Sequence, residues 1–339
     1  ETYLVDQPTT GKGLNPLLQN PYMVFHPPAL YVGYVGMTIP FVFAVAALLA
    51  GTGDARWLRA ARPWALASWY FLSLGLVLGM LWAYEELGWG GYWGWDPVEN
   101  AGLIPWLTAT ALIHTIKIQE RCGMLRVLNP LLAILTFELT IFGTFLTRSG
   151  FIESVHAVAR SSIGWYFLGF LALVSVVSAV LLVWRRRSLR AERPITALLS
   201  REFSFVVLAW LLVAAAALVL VLTIFPSLSV LFGDKVTINP AAFNRWITPI
   251  GLALLLLKGA GPELRWRSSS GQSLLRALLL PAVLGALTAA ALWLAGLRHV
   301  LSLATIGLVA FVVGAILLDV HRGAALRARA APGRGYLSG

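Results

Sequence analysis

Residues 89–106 read WGGYWGWDPVENAGLIPW, an aromatic and glycine-rich loop that runs directly into an apolar segment. Its aromatic residues are Trp89, Tyr92, Trp93 and Trp95, and its glycines are Gly90, Gly91 and Gly94. The flat aromatic faces, beside the space left by the missing glycine side chains, predict a platform for a large planar molecule. The alternative interpretation is an aromatic belt, which would anchor two helices at a membrane surface without binding a ligand.

The residues that follow the aromatic cluster predict an ordered loop. Asp96 precedes Pro97, so its carboxylate can cap the next helix while the proline occupies the first helical position. Glu99 falls in the first turn, where a negative charge stabilises the helix dipole. An aromatic belt needs neither the glycine spacing nor these acids, so the pattern favours a binding loop.

Two of the five histidines are candidate iron ligands beside this loop, because neutral imidazole commonly binds iron. His26 stands just before Pro27 and Pro28, which suit the first turn of a helix whose positive end would keep the ring neutral. His156 lies in another connection, TRSGFIESVHAVARSS. Two axial histidines over an aromatic shelf would describe a haem site. An ordinary interfacial histidine is the alternative for His26.

The elements that must position these residues are membrane helices. Hydrophobic residues make up 58% of the 339-residue chain and charged residues 12%, and apolar runs long enough to cross a bilayer recur throughout. The sequence predicts an all-α, polytopic transmembrane helix bundle, in which the seventh span is the least secure. The nine expected spans lie near 28–50, 62–84, 101–118, 123–146, 164–184, 203–225, 244–260, 274–296 and 299–320.

Lysine and arginine are divided unequally between the connections. Alternate connections, with the C-terminal segment, hold 20 of the 26 basic residues, and the opposite set holds only six. The positive-inside rule then predicts an external N-terminus, a cytoplasmic C-terminus and an external tryptophan loop. This distribution accounts for the net charge of +11 without a nucleic-acid partner.

Other reactive side chains fall within the predicted spans or at their ends. His114 is 13 residues beyond Ala101, about 20 Å below the outer surface, where an ionisable residue is more often a ligand or proton relay than a packing residue. Glu138 is interpreted as a packing or proton-handling carboxylate, with Arg148 as a candidate partner. His299 and His321 are assigned to the interfaces. Cys122 is the only cysteine, so thiol chemistry must belong to a partner.

The segment WGGYWGWDPVENAGLIPWLTATALIH resembles the WWD signature of the cytochrome c assembly superfamily, in its CcmF type. FHPPALYVGY, RSGFIESVHA and FNRWITPIGLALLLLKGAGPELRW are similar to further CcmF segments. The resemblance therefore runs from about residue 13 to residue 267. CcmC and CcsA proteins share the tryptophan motif, but DPVENA together with FHPP favours the CcmF type.

This resemblance implies a haem lyase subunit of the system I cytochrome c maturation pathway, in the bacterial inner membrane with its active site on the outer face. Haem would arrive on the chaperone CcmE (holo-CcmE), and a CcmH-type partner would present apocytochrome c for thioether attachment. The resemblance also implies a permanent intramembrane haem b. As a hypothesis, quinol reduces this haem b, from which an electron passes to the outer haem.

The resemblance assigns binding roles to particular residues and no catalytic residue. His114 would be one axial ligand of the haem b iron, with the second expected beyond Gly339. His26 and His156 would ligate the iron of the incoming haem in transit. The surrounding haem-binding residues would be Trp89, Trp93, Trp95, Asp96, Gly90 and Gly91.

The expected organisation has three parts. Residues 1–27 form an external segment, 28–325 a transmembrane haem-handling domain with the external WWD loop at 85–106, and 326–339 a cytoplasmic tail. Two alternative functions involve haem but no direct role in forming its bond to apocytochrome c: a haem chaperone or exporter, and a quinol–haem oxidoreductase. A solute transporter would require paired broken helices, for which no convincing pair is found.

Overall fold

A computed structural model describes residues 13–152, 162–190 and 197–330, and within these ranges every regular element is a helix. Short 3-10 turns occupy Pro16–Leu18 and Gly261–Glu263. The α-helices are α1 Pro21–Gly36, α2 Thr38–Ala50, α3 Arg56–Glu86, α4 Pro97–Cys122, α5 Leu128–Arg148, α6 Ile163–Trp184, α7 Arg201–Ser229, α8 Pro240–Ala260, α9 Gly271–Leu294 and α10 Val300–Ala330.

Nine segments of the described chain are long and apolar enough to cross a membrane, with mean hydropathies between 1.3 and 3.0. Helices α1 and α2 together form one of them, Pro21–Ala50, and each later α-helix forms another. The prediction of nine spans is confirmed, including the seventh, which runs over Pro240–Glu263. The protein is a multi-pass membrane protein.

The first span begins at Pro21 and not near residue 28, so the prediction that Pro27 and Pro28 form the first turn of a helix is wrong. Asn20 caps the helix by accepting the N–H of Tyr22, and Pro21 occupies the first helical position. This earlier start signal takes precedence, and both later prolines lie inside α1. His26 is therefore a residue of the helix and does not stand before its N-terminus.

The first span is broken near its middle. Helix α1 ends at Gly36 and α2 begins at Thr38, because Pro40 has no N–H for the carbonyl of Gly36 and its ring crowds that group. Beyond the break, α2 packs against α5, whereas α1 packs mainly against α3. Separation of α1 from α5 leaves space between them at the end of the bundle that carries residues 87–96, here called the loop end.

Helix α4 lies at the centre of the fold and packs against α3, α5 and α7. Its side chains Ile104 and Leu112 are almost fully buried, with Leu132 of α5 and Val219 of α7. Helices α1 and α3 approach closely at their glycines, since a Cβ on Gly33 would lie 2.6 Å from a side-chain atom of Leu72. The core thus fixes α4, and α4 carries the residues that follow the tryptophan loop.

Two of the predicted segments overlap helices of the structure. The non-helical part of the predicted loop 85–106 is limited to 87–96, since α3 ends at Glu86 and α4 begins at Pro97. At the opposite end of the chain, α10 continues to Ala330, beyond the predicted domain boundary at 325.

Candidate functional site

A capping box shapes the tryptophan loop. The carboxylate of Asp96 accepts the N–H of Val98 at 2.9 Å, and the carboxylate of Glu99 accepts the N–H groups of Asp96 and Gly94, each at 3.0 Å. The sequence Asp-Pro-Val-Glu thus satisfies donors that the first turn of α4 leaves without intrahelical partners. Because Glu99 also holds Gly94, the box fixes the loop together with the helix.

Trp95 is held at both its backbone and its side chain. Its φ is +56°, in the left-handed region that is unfavourable for a bulky residue. The side-chain amide of Asn100 donates to the Trp95 carbonyl at 3.1 Å and to the hydroxyl of Thr223 at 3.0 Å. The indole stacks on Phe243 with a centroid distance of 4.9 Å, and its Nε1 donates to Asn244 at 2.9 Å. Trp95 therefore joins the loop to α7 and α8.

Replacing Asn100 with Leu should destabilise the protein by about 1–3 kcal/mol, because the buried hydroxyl of Thr223 and the partly buried carbonyl of Trp95 lose their donor. Asn100 is 0% exposed, so water cannot take its place without opening the core. The matched control is Asn244→Ala, which removes only the exposed hydrogen bond to the Trp95 indole. Thermal unfolding in detergent measures both variants, and equal losses would contradict the role given to Asn100.

The glycines of the loop have different surroundings. A Cβ on Gly90 or Gly91 would meet nothing within 4 Å, so space remains beside the aromatic side chains as expected. At Gly94 a Cβ would lie 2.7 Å from the Trp89 indole, so there the loop's own tryptophan takes the space that was predicted for a flat ligand. Gly90 also has a φ of +71°, which a residue with a side chain rarely adopts.

A cavity of about 470 Å³ lies beneath the loop. Its lining comes from residues 15–18, the loop and helices α1, α3, α4 and α5. His26 and Trp93 line the same cavity, although 67 positions separate them in the sequence. The indole Nε1 of Trp93 is buried and has no hydrogen-bond partner among the described residues. The structure therefore brings two of the predicted site residues together, whereas Trp95 packs against α8.

The His26 ring is positioned by α3. Its Nδ1 donates to the carbonyl of Gly75 at 2.7 Å, which places the imidazole lone pair on Nε2. The ring lies nearly parallel to the Trp82 indole, with centroids 6.4 Å apart. A Cβ on Gly79 would lie 2.6 Å from Cε1 of His26, so only glycine admits the ring at this place. Such a carbonyl partner is typical of histidines that bind metals.

Sequence reasoning did not identify Tyr34, which lines the lower part of the cavity. Pro105 has no N–H to donate to the Ala101 carbonyl one turn earlier, and the Tyr34 hydroxyl donates to that carbonyl at 2.7 Å. A Cβ on Gly143 would lie 3.0 Å from the same hydroxyl. Pro105 inside α4 was a local signal that a backbone carbonyl lacks its intrahelical donor. No comparable signal near Tyr34 on α1 indicated that its hydroxyl would be the donor.

His114 lies well apart from the cavity, and His156 lies outside the described residues. Because α4 begins at Pro97, His114 is 17 residues along it, or about 26 Å by the helical rise, where about 20 Å had been expected from the predicted start. Its Nδ1 donates to the Thr110 carbonyl at 2.8 Å, and its ring meets the Phe205 edge with centroids 5.6 Å apart. The Nε2 lone pair and the partial exposure of the ring fit one axial ligand of a haem.

The remaining candidates have ordinary surroundings. The expected pairing of Glu138 with Arg148 is wrong, since ten residues of one helix separate them, about 15 Å. The Glu138 carboxylate instead accepts a hydrogen bond from Ser175 of α6 at 3.1 Å. Cys122 donates to Glu202 at 3.7 Å, and His299 contacts Ser302 at 3.0 Å, near the start of α10.

Comparisons with known proteins agree with this architecture. The family model for "Cytochrome C assembly protein" matches residues 2–153. The chain is 41% identical over 333 residues to cytochrome c-type biogenesis protein ccl1 of Rhodobacter capsulatus, covering 98% of this chain and 50% of that protein. It is 46% identical over 261 residues to the biogenesis protein CcmF of Escherichia coli, covering 76% of this chain and 40% of that one.

A solved structure is similar over nearly the same extent. "Cytochrome c Heme Lyase CcmF" superposes with a TM-score of 0.72 at 32% identity, over 92% of this chain and 49% of that chain. The chain thus spans about half the length of the curated relatives it matches. Together with the helix bundle and the capped tryptophan loop, these comparisons show that the chain is similar to cytochrome c assembly proteins, with the family model matched over residues 2–153.

Proposed function

We propose that this chain is the haem-handling part of a CcmF-type haem lyase. Its substrate haem binds in the cavity beneath the tryptophan loop, with His26 as an iron ligand, and is attached there to apocytochrome c. One observation carries this proposal: His26, with its Nδ1 hydrogen bonded to Gly75, lines the same cavity as Trp93. The similar structure named as a cytochrome c haem lyase supports the same activity.

The cavity suits haem in size and character. A volume of about 470 Å³ lies within the range of sites for cofactor-sized molecules. Leu30, Leu76 and Val98 contribute an apolar lining for the porphyrin, and Trp93 adds an aromatic face with a buried donor. His156 and Trp89 are proposed to complete the site, as the family resemblance implies.

The loop end is proposed to face outward in the bacterial inner membrane, because the connections at the opposite end hold most of the arginines and lysines. A CcmE-type chaperone would deliver haem to this face, and a CcmH-type partner would present apocytochrome c. An outward-facing loop end would give both partners access to the cavity.

The proposed contribution of the chain to the bond-forming step is to hold haem so that its vinyl group and the cysteine thiol can meet. A cysteine sulfur and its hydrogen add across a haem vinyl group: the S–H bond and the vinyl π bond break, an S–C and a C–H bond form, and no electron is gained or lost overall. His26 holds the iron, Trp93 covers the ring, and the apolar lining excludes water, so vinyl and thiol meet at a high effective concentration. No acid or base on this chain is required.

A resident haem b at His114 is the second part of the proposal. When bound, this group would supply electrons drawn from quinol to keep the substrate haem ferrous. The chain's contribution is the Thr110 carbonyl, which holds the His114 tautomer with its lone pair on Nε2. The second ligand is expected outside this chain.

Replacing His26 with Ala should lower the haem captured at the cavity at least about tenfold, since the axial bond is lost. His26→Gly with added imidazole should restore part of the capture, because free imidazole can enter the space of the deleted ring. His299→Ala is the matched control, a histidine near the same end of the bundle that makes only a local contact with Ser302.

Soret absorbance of purified protein measures capture, and covalent cytochrome c in the same cells measures attachment. Unchanged capture in His26→Ala would refute the assigned ligand. Reduced capture with normal attachment in both His26 variants would refute the lyase assignment, because attachment would then not depend on the cavity, and would leave a haem chaperone as the better description.

A further inference from the structure

One guanidinium, that of Arg148, lies among the described residues that line the cavity. Arg148 is the last residue of α5, so it belongs to a different wall from His26, which lies on α1. A carboxylate also lines the cavity, but Glu99 already accepts two backbone N–H groups, which compensate its charge. The α5 wall is therefore the positive side of a mostly apolar cavity.

The other polar groups on this wall are engaged within their own helix. The hydroxyl of Thr144 donates to the Thr140 carbonyl at 3.0 Å, and that of Thr147 donates to the Thr144 carbonyl at 2.9 Å. A guanidinium has five N–H donors, so Arg148 can bind an anion and keep another partner. On the α5 wall, the guanidinium of Arg148 is therefore the group best suited to donate hydrogen bonds to an incoming anion.

Haem has two propionates on one edge and its vinyl groups on the opposite edge. An axial bond from a histidine fixes the iron but permits the porphyrin to rotate about that bond. A propionate entering an apolar cavity also needs a partner, because an unpaired buried carboxylate is costly. A planar guanidinium suits this need, since it can bind a carboxylate through two parallel hydrogen bonds.

We infer that Arg148 is a positioning residue that binds a haem propionate and thereby fixes the rotation of the ring about the His26–iron bond. This inference rests on the proposed function, because it requires haem in the cavity. With the propionate edge held at α5, the vinyl edge points away from α5, so the thiol would have to approach from the side opposite α5. Arg148 touches the substrate but takes no part in the reaction.

The experiment removes the interaction from each side in turn. Ferric haem and its dimethyl ester, which lacks propionate charges, are titrated into the full chain in detergent and followed by Soret absorbance. All proteins carry His114→Ala, so that the titration reports the cavity alone. Arg148→Gln should bind haem about tenfold or more weakly and the diester within about twofold of the parent, as expected for one charged hydrogen-bonded pair. Arg148→Lys should be intermediate.

The control is Arg245→Gln, which removes the same charge from α8 near the loop end but outside the cavity lining, and should bind both probes as the parent does. Equal haem binding by Arg148→Gln and the parent would overturn the inference. Equal weakening of haem and diester would also overturn it, because the loss would then be structural. If the parent bound no haem, the proposed function would fail and this inference with it.

Discussion

His114→Ala is expected to abolish the haem b absorbance of the purified protein. The imidazole is held by the Thr110 carbonyl with its lone pair on Nε2, and a methyl group cannot replace an axial ligand. The position lies within the membrane, where no water ligand would readily compensate. Haem content by pyridine haemochrome and the reduced-minus-oxidised spectrum measure the loss.

His321→Ala is the matched control, because it removes a histidine from another membrane-spanning helix, α10. It should leave the haem b spectrum unchanged. A normal spectrum for His114→Ala would refute its assignment as a haem ligand, whatever the activity of the variant. Capture of haem through His26 should survive this substitution, since the cavity lining does not include His114.

Gly79→Ala is expected to reduce cytochrome c attachment nearly as severely as removal of the His26 ring, although Gly79 offers no group to haem. The added Cβ would lie 2.6 Å from Cε1 and 2.9 Å from Nδ1 of His26, so the ring must move and its hydrogen bond to Gly75 must break. The helix itself should tolerate the change, because Ala is the better helix former by about 1 kcal/mol.

The control for this variant is Gly169→Ala in α6, where an added Cβ meets nothing within 4 Å. Attachment is measured as covalent haem in cytochrome c, and stability as the unfolding temperature in detergent. A Gly79→Ala protein that is stable and fully active would show that the position of the His26 ring is unimportant. A stable but inactive protein is the expected result.

Much of the fold follows from local sequence. Apolar runs of membrane length predicted all nine described spans, and the Asp-Pro-Val-Glu order predicted a capped helix after the loop. Both signals act within one helix or one turn, so no knowledge of distant contacts was needed. The start of the first span was predicted wrongly because two proline signals, at Pro21 and at Pro27, compete within seven residues.

The site could be predicted only in part, because its geometry depends on contacts between distant segments. The hydrogen bond between Trp95 and Asn244 joins residues that are 149 positions apart, and no local sequence pattern near either residue predicts it. The contact between His26 and Gly79 depends on how α1 and α3 pack, which periodicity does not specify. Candidate ligands can therefore be predicted from residue types and motifs, whereas ring orientation and the α5 wall of the cavity required the three-dimensional structure.

The hydrogen bond between Tyr34 and Ala101 has a consequence for the order of assembly in the membrane. Pro105 leaves the Ala101 carbonyl without a donor inside α4, so the acceptor that Tyr34 binds exists only once α4 has been made. Chains are synthesised from the N-terminus, so the first span is inserted before this partner appears. The hydrogen bond that joins α1 to α4 therefore forms only after the third span has been made, whereas the contact between α1 and α3 that holds His26 needs only the first two spans.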